Sequence, residues 1–140
     1  MSLPEAPTIQ GILEASIYVD DLDKAEEFYG RVLGLSRIQR VAGRHVFFRA
    51  GTFVLLVFNP DQTALPPTNP ALPVPPHGAR GPGHVCLTLA RPEIEQMRAR
   101  LLAAEVEIEA DFDWPNGARS LYFRDPAGNS VEFAESRLWD

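Results

Sequence analysis

One cysteine, Cys86, is the only thiol in this 140-residue chain, and Lys24 is its only lysine. A lone Cys excludes a disulfide framework and a cysteine-rich zinc site. The 13 basic residues, twelve of them Arg, face 19 Asp and Glu, and the formal net charge of −6 argues against sequence-independent nucleic-acid binding. No apolar run approaches the roughly 20 residues of a membrane span, and the start lacks the basic-then-apolar pattern of a signal peptide. Histidine is scarce as well: His45, His77 and His84 are all there are. The expectation is one compact cytoplasmic domain, large enough to bury a core, with no nucleic-acid or membrane partner.

Proline, by contrast, is plentiful and uneven. Eight of 13 prolines fall between Pro60 and Pro82, in a stretch with neither helical nor strand period. An aperiodic run of that length reads as a connector or a functional loop. It divides the chain into 9–59 and 83–137, and residues 1–8 read as a disordered or vector-derived start. In the first piece, strand-like alternation over 12–19 leads to Asp20-Asp21 as helix caps. Leu22, Ala25, Phe28, Tyr29, Val32 and Leu33 then form one helical face, stopped by Gly34. Strands follow at 35–42, 44–50 and 52–59, punctuated by Gly43 and Gly51. The second piece repeats the order. It has a strand at 84–90, then a helix opened by Pro92 with the stripe Ile94, Met97, Leu101 and Ala104. Strands follow at 106–112, 119–124 and 130–135, the last two joined by the turn DPAGN. A module of about 50 residues cannot bury its sheet alone, so the two must pack together. The fold class is therefore α+β: two tandem βαβββ modules whose curved mixed sheets form a cup-shaped pocket, with helices outside.

A site between related halves draws on equivalent positions. Aligning the opening strands pairs Glu14 with His84, and aligning the final strands pairs Leu55 with Glu132. Singly, a strand His is most often a satisfied core residue and a strand Glu is most often solvated. Together, three metal-capable side chains at four matched positions point to a site. Strand parity groups Ser16 and Tyr18 with Glu14, and Cys86 and Thr88 with His84, as pocket lining, and Leu55 is expected to line the pocket with them. Cys86 reads as an inert thiol. Ser120 and Tyr122 share a face, Arg119 is a candidate clamp for an anionic substrate, and Trp114 sits in a turn at the pocket mouth. For His77, on the connector, a plain linker role is the simpler reading.

The segments VDDLDKAEEFYGRVLGL (19–35), GPGHV (81–85) and SLYFRDPAGNSVEF (120–133) resemble the vicinal oxygen chelate superfamily over nearly the whole chain. That superfamily includes glyoxalase I, extradiol dioxygenases, fosfomycin-resistance enzymes, methylmalonyl-CoA epimerase and bleomycin-binding proteins. The resemblance implies one divalent metal ion (Mn, Fe, Ni, Zn or Mg) held by Glu14, His84 and Glu132, with Tyr122 and Ser120 assisting catalysis. Two departures matter. Glyoxalase I and the epimerase take a ligand from the position read here as Leu55, and extradiol dioxygenases have His where Glu14 stands. The potassium- and phosphonate-binding features of the fosfomycin enzymes are not recognisable.

The leading expectation is a metal-dependent enzyme acting on a small oxygen-bearing molecule by lyase, transferase or oxygenase chemistry, other than glyoxalase I itself. The alternative is a metal-free small-molecule binding protein of the bleomycin-resistance kind. A homodimer is expected, and the connector is compatible with modules pairing within one chain or between two.

Overall fold

The computed structural model describes residues 2–140. Its elements run β1 (Glu14–Tyr18), α1 (Leu22–Glu26), a π-helical turn (Glu27–Val32), β2 (Ser36–Val41), β3 (His45–Ala50), β4 (Phe53–Phe58) and α2 (Pro60–Thr63). They continue with β5 (His84–Thr88), α3 (Arg91–Ala103), β6 (Ala110–Asp113), β7 (Arg119–Arg124), β8 (Ser130–Ala134) and a closing 3₁₀ turn (Ser136–Trp139). The strands form two four-stranded mixed sheets of the same order, β1-β4-β3-β2 and β5-β8-β7-β6. In each, the first strand pairs parallel with the last and the remaining neighbours are antiparallel. Among the described residues no helix is long and apolar enough to cross a membrane.

The first helix, with its π-helical turn, and α3 serve one core. The inward residues of β1, β3 and β4 (Ile17, Val46, Phe48, Leu55, Val57) join those of β5, β7 and β8 (Val85, Leu121, Phe123, Val131, Phe133) in one buried cluster with Phe28, Tyr29, Ile94 and Leu101 from the helices. Asp21 caps α1 by accepting the Lys24 amide at 3.0 Å. The helix then widens: Leu33 N–H reaches the Phe28 carbonyl at 2.9 Å, a spacing of five residues. Gly34, at φ +80°, ends it in a conformation that costs other residues a steric penalty. At the other helix, Glu93 reaches back to accept the Ala90 amide at 3.0 Å. Its end uses a left-handed Glu105 (φ 60°), with Val106 N–H donating to the Leu101 carbonyl at 2.9 Å. The expected strand at 106–112 begins only at Ala110 because this closing turn and the run behind it occupy the intervening residues.

The two sheets meet at β1 and β5, and one asparagine fixes how. Asn129 donates to the Tyr18 carbonyl at 2.9 Å and accepts the Gly83 amide at 2.8 Å. The end of β1 is thus tied to the start of β5. Glu14 lies four residues back along β1, about 13 Å of strand. Asn129 in turn donates to Asp125 Oδ2 at 2.9 Å, and Tyr29 from the first module donates to the same oxygen at 2.7 Å. Burial and the Asp125 charge push the Tyr29 phenol far above its usual range, so it is a permanent donor.

The stretch from Pro60 to Pro82 is a docked loop. Asn59 caps the α2 turn by accepting the Asp61 amide at 3.0 Å, His77 N–H bonds to the Thr63 carbonyl at 2.9 Å, and Arg80 pairs with Asp61. These bonds fold the loop back so that the His77 ring rests on the first sheet, 4.6 Å from the Phe58 ring, and its Nδ1 meets Tyr18 Oη at 2.7 Å.

Candidate functional site

Alternation along the strands decides which side chains share the face away from the helices. On β5, Val85 and Leu87 pack with the core, leaving His84, Cys86 and Thr88 on the other side. On β8, Val131 and Phe133 turn inward, and on β7 Leu121 and Phe123 do the same. Register then sets Cys86, Glu132 and Tyr122 abreast, with Ser120 opposite Ala134. His84 Nε2 stands 3.3 Å from Glu132 Oε1, while Ser120 Oγ donates to Glu132 Oε2 at 2.6 Å. Glu132 is only 4% exposed and Ser120 0%. A buried carboxylate is costly unless bonded, and here both oxygens have partners.

An aromatic row leads to this pair. Phe112 on β6 stacks on Tyr122 with centroids 5.9 Å apart, and Tyr122 stacks on His84 at 6.2 Å. Trp114 packs edge-on against Phe112 at 4.9 Å and donates its indole N–H to Ser120 Oγ at 2.7 Å. Desolvation, then the Glu132 charge, push the Tyr122 phenol up to about 12, so at neutral pH it keeps its proton. Cys86 is exposed as a residue, yet crowding around its sulfur and the neighbouring Glu132 push the thiol up to about 12 as well. It is no thiolate nucleophile at neutral pH.

The first sheet presents the matching face. Its registers place Glu14 with Val54 and Arg49, Ser16 with Leu56 and Phe47, and Tyr18 with Phe58 and His45. The residue that corresponds to Glu132 is therefore Leu56, paired with Ser16 as Glu132 is with Cys86. Leu55 points the other way and is 1% exposed in the core, which corrects the sequence alignment by one residue. Leu56 is also apolar, so this position offers a metal no ligand atom. His45 donates from Nε2 to Gln39 at 2.8 Å and accepts from Arg44 at Nδ1. Burial, with the Arg44 charge, lowers its pKa to about 4.

The sequence-predicted residues are thus brought together only in part. His84, Glu132, Ser120, Tyr122, Cys86 and Trp114 cluster on the second sheet. Glu14, Ser16 and Tyr18 share the corresponding face of the first. Glu14 lines instead a slot of about 750 Å³ between β1 and β5, whose walls also include Thr88, Glu135, Leu33, Leu87 and Met97. Among the described residues no three His, Cys, Asp or Glu side chains converge as a metal cluster. The cause is the Asn129 tie, which sets β1 beside β5 with Glu14 and His84 at opposite ends of the junction. Arg119 is also corrected. Asp111 on the neighbouring β6 (2.7 Å) and Glu95 on α3 (2.9 Å) hold it, so it lines no part of the Glu132 face. These bonds raise its pKa above its ordinary value.

Sequence reasoning missed Phe112, His45, Phe47 and Phe58 on these faces. The period of two on β3 was the available signal for His45 and Phe47. Nothing in the aperiodic connector placed His77 on Tyr18.

The Glyoxalase/Bleomycin resistance protein/Dioxygenase superfamily matches residues 11–133. A lactoylglutathione lyase structure from Agrobacterium tumefaciens is similar at 42% identity and a TM-score of 0.88, covering 95% of this chain and 98% of that one. A glyoxalase/bleomycin resistance protein/dioxygenase from Nocardioides matches at 24% identity and a TM-score of 0.69, covering 93% and 85%. TioX from Micromonospora sp. ML1 matches at 22% identity and a TM-score of 0.70, covering 89% and 98%; these two share the fold. Among curated proteins, none matches this chain by sequence.

Proposed function

Because this chain belongs to the Glyoxalase/Bleomycin resistance protein/Dioxygenase superfamily, we propose that it is a metal-dependent enzyme acting on a small oxygen-bearing molecule, as a cytoplasmic homodimer. The observation that carries the reading is the buried Glu132 carboxylate. Ser120 orients it, and it stands beside His84 on a face with no other role in the core. A His and a carboxylate, set side by side on neighbouring strands, suit two positions of a divalent site. The third donor, Glu14, can join them only from a second copy, which is why the reading requires a dimer. The matching faces of the two sheets support that pairing: the first sheet of one copy would cover the second sheet of the other, enclosing a pocket.

When bound, a divalent ion (Mn, Fe, Ni, Zn or Mg) would supply Lewis-acid chemistry to a substrate that offers two oxygens. The chain's own residues do the rest. Tyr122 carries a proton at Oη and can donate it in a hydrogen bond to a substrate oxygen. Phe112, Tyr122 and Trp114 keep water from one side of the pair. Glu132 is held in place before any ligand arrives. The name of the Agrobacterium structure makes lactoylglutathione lyase the first activity to assay. Leu56 weighs against it, since it stands where the superfamily's glyoxalase I takes a ligand and offers no donor.

One observation favours a second reading, a metal-free small-molecule binder: Glu132 already has partners at both oxygens. Metal analysis of protein purified without chelator separates the two. Metal near one per chain, abolished by His84→Ala and by Glu132→Ala, is the expected result. Occupancy far below one per chain, unresponsive to added Mn²⁺, Fe²⁺, Ni²⁺ or Zn²⁺, would overturn the enzyme reading.

A further inference from the structure

Trp114, Ser120 and Glu132 form a relay, and we propose that Trp114 and Ser120 are positioning residues that leave Glu132 a single ligand oxygen and make the Trp114 indole a reporter of what that oxygen holds. The inference rests on the metal reading above. Its chemistry follows from which groups can donate. An indole N–H only donates, so the 2.7 Å contact from Trp114 Nε1 makes Ser120 Oγ an acceptor. The Ser120 proton then goes to Glu132 Oε2, 2.6 Å away. That fixes the serine as a donor to one named oxygen. Glu132 Oε1 remains, facing His84 Nε2 at 3.3 Å.

Burial makes the relay consequential. With Ser120 0% and Glu132 4% exposed, bulk water cannot replace the serine if it is removed. The far end of the relay is rigid. Trp114 N–H bonds to the Ala118 carbonyl at 2.8 Å, and Gly117 N–H returns to the Trp114 carbonyl at 2.7 Å. Gly117 adopts φ +86° to close this turn between β6 and β7. A cation at Oε1 draws electron density from the carboxylate and weakens Oε2 as an acceptor. The Ser120 hydroxyl relaxes, and the hydrogen bond at the indole N–H changes with it.

The test uses the full-length chain carrying Trp139→Phe, which removes the other indole, 90% exposed. Zn²⁺ is titrated by calorimetry and by indole emission. The parent should bind Zn²⁺ with a saturable emission change that tracks the calorimetric isotherm. Ser120→Ala should weaken Zn²⁺ by about 10- to 100-fold, the usual consequence of losing a partner of a metal ligand, and should remove the emission response. Ser120→Thr, which keeps the hydroxyl, should recover most of the affinity. Trp114→Phe, read by calorimetry alone, should lose affinity by a smaller factor of a few-fold. Ser120→Ala or Trp114→Phe binding Zn²⁺ as tightly as the parent overturns the inference while leaving the metal reading intact. So does an unchanged emission response in Ser120→Ala. A parent chain that binds no Zn²⁺, Mn²⁺, Ni²⁺ or Fe²⁺ overturns the metal reading, and the relay's role with it.

Discussion

Removing one oxygen atom from Tyr29 probes how the two modules are joined. Tyr29 is 0% exposed, and its hydroxyl donates to Asp125 Oδ2 at 2.7 Å across the boundary between modules. Tyr29→Phe keeps the ring contacts with Phe28 and Phe48 and deletes only the donor. Asp125 would keep three bonds: from Asn129 Nδ2 at Oδ2, and from the Ala127 and Asn129 amides at Oδ1, all at 2.9 Å. The loss is therefore one charge-assisted hydrogen bond, worth about 2 kcal/mol in a buried setting. At roughly 2.1 cal/mol/K of unfolding entropy per residue, 140 residues give about 0.3 kcal/mol/K, so the melting temperature should fall by about 7 °C. Urea unfolding with an unchanged m-value would show that stability alone has moved. Asp125→Asn completes a double-mutant cycle, in which the pair should couple by more than about 1 kcal/mol. A Tyr29→Phe protein within about 0.3 kcal/mol of the parent would refute the view that this bond fastens the modules.

Other expectations follow from the same geometry. His45 is 6% exposed with a pKa lowered to about 4. Between the ordinary value near 6.5 and that figure, the unfolded chain takes up a proton that the folded chain refuses. Stability should therefore fall as the pH falls through this window, by about 3 kcal/mol, and His45→Phe should flatten that part of a denaturant-measured stability profile. Leu55→Ala should cost about 3 kcal/mol, as for a core leucine, yet leave metal content unchanged; loss of metal would mean that the β4 register is wrong. Glu105→Gly should raise stability by about 0.5–1 kcal/mol, because glycine accepts the left-handed turn without strain. A lower melting temperature would count against that account.

The parts of this fold that depend on period were legible in the sequence. Alternation located β1, glycine and DPAGN turns bounded the strands that became β3, β7 and β8, and the spacing of Leu22, Ala25, Phe28 and Tyr29 gave the first helical face. TFVLLVF was harder. A run with apolar residues on both faces has no period to read, so the sequence sets Leu55 opposite Glu132 where the strand register sets Leu56. Matched positions in the two modules and the family resemblance gave His84 with Glu132, and parity gave Ser120 with Tyr122, which the hairpin and the resemblance turn towards Glu132. The separation of Glu14 from them followed from none of these. Equivalent positions in two modules establish which residues correspond, and only the packing of β1 against β5 determines whether they meet. That packing is specified by Asn129, whose sequence context DPAGN reads as a turn and conceals its reach to Tyr18. The docking of His77 was illegible for a similar reason: it depends on long-range bonds to Thr63 and Tyr18, and a proline-rich run carries no period that would announce them.

The bond from Asn129 to the Tyr18 carbonyl has a consequence for how the chain must come together. The two residues are 111 positions apart, so the anchor for the first strand leaves a ribosome long after the strand itself. Until the DPAGN turn emerges, β1 has its own sheet but nothing to set it against β5. Half of the core around Phe28 and Tyr29 also remains bare. A nascent chain halted inside the connector would therefore expose sticky apolar surface and lack the means to hide it. Emergence of the DPAGN turn, more than closure of the first module, is the moment at which this core can be covered.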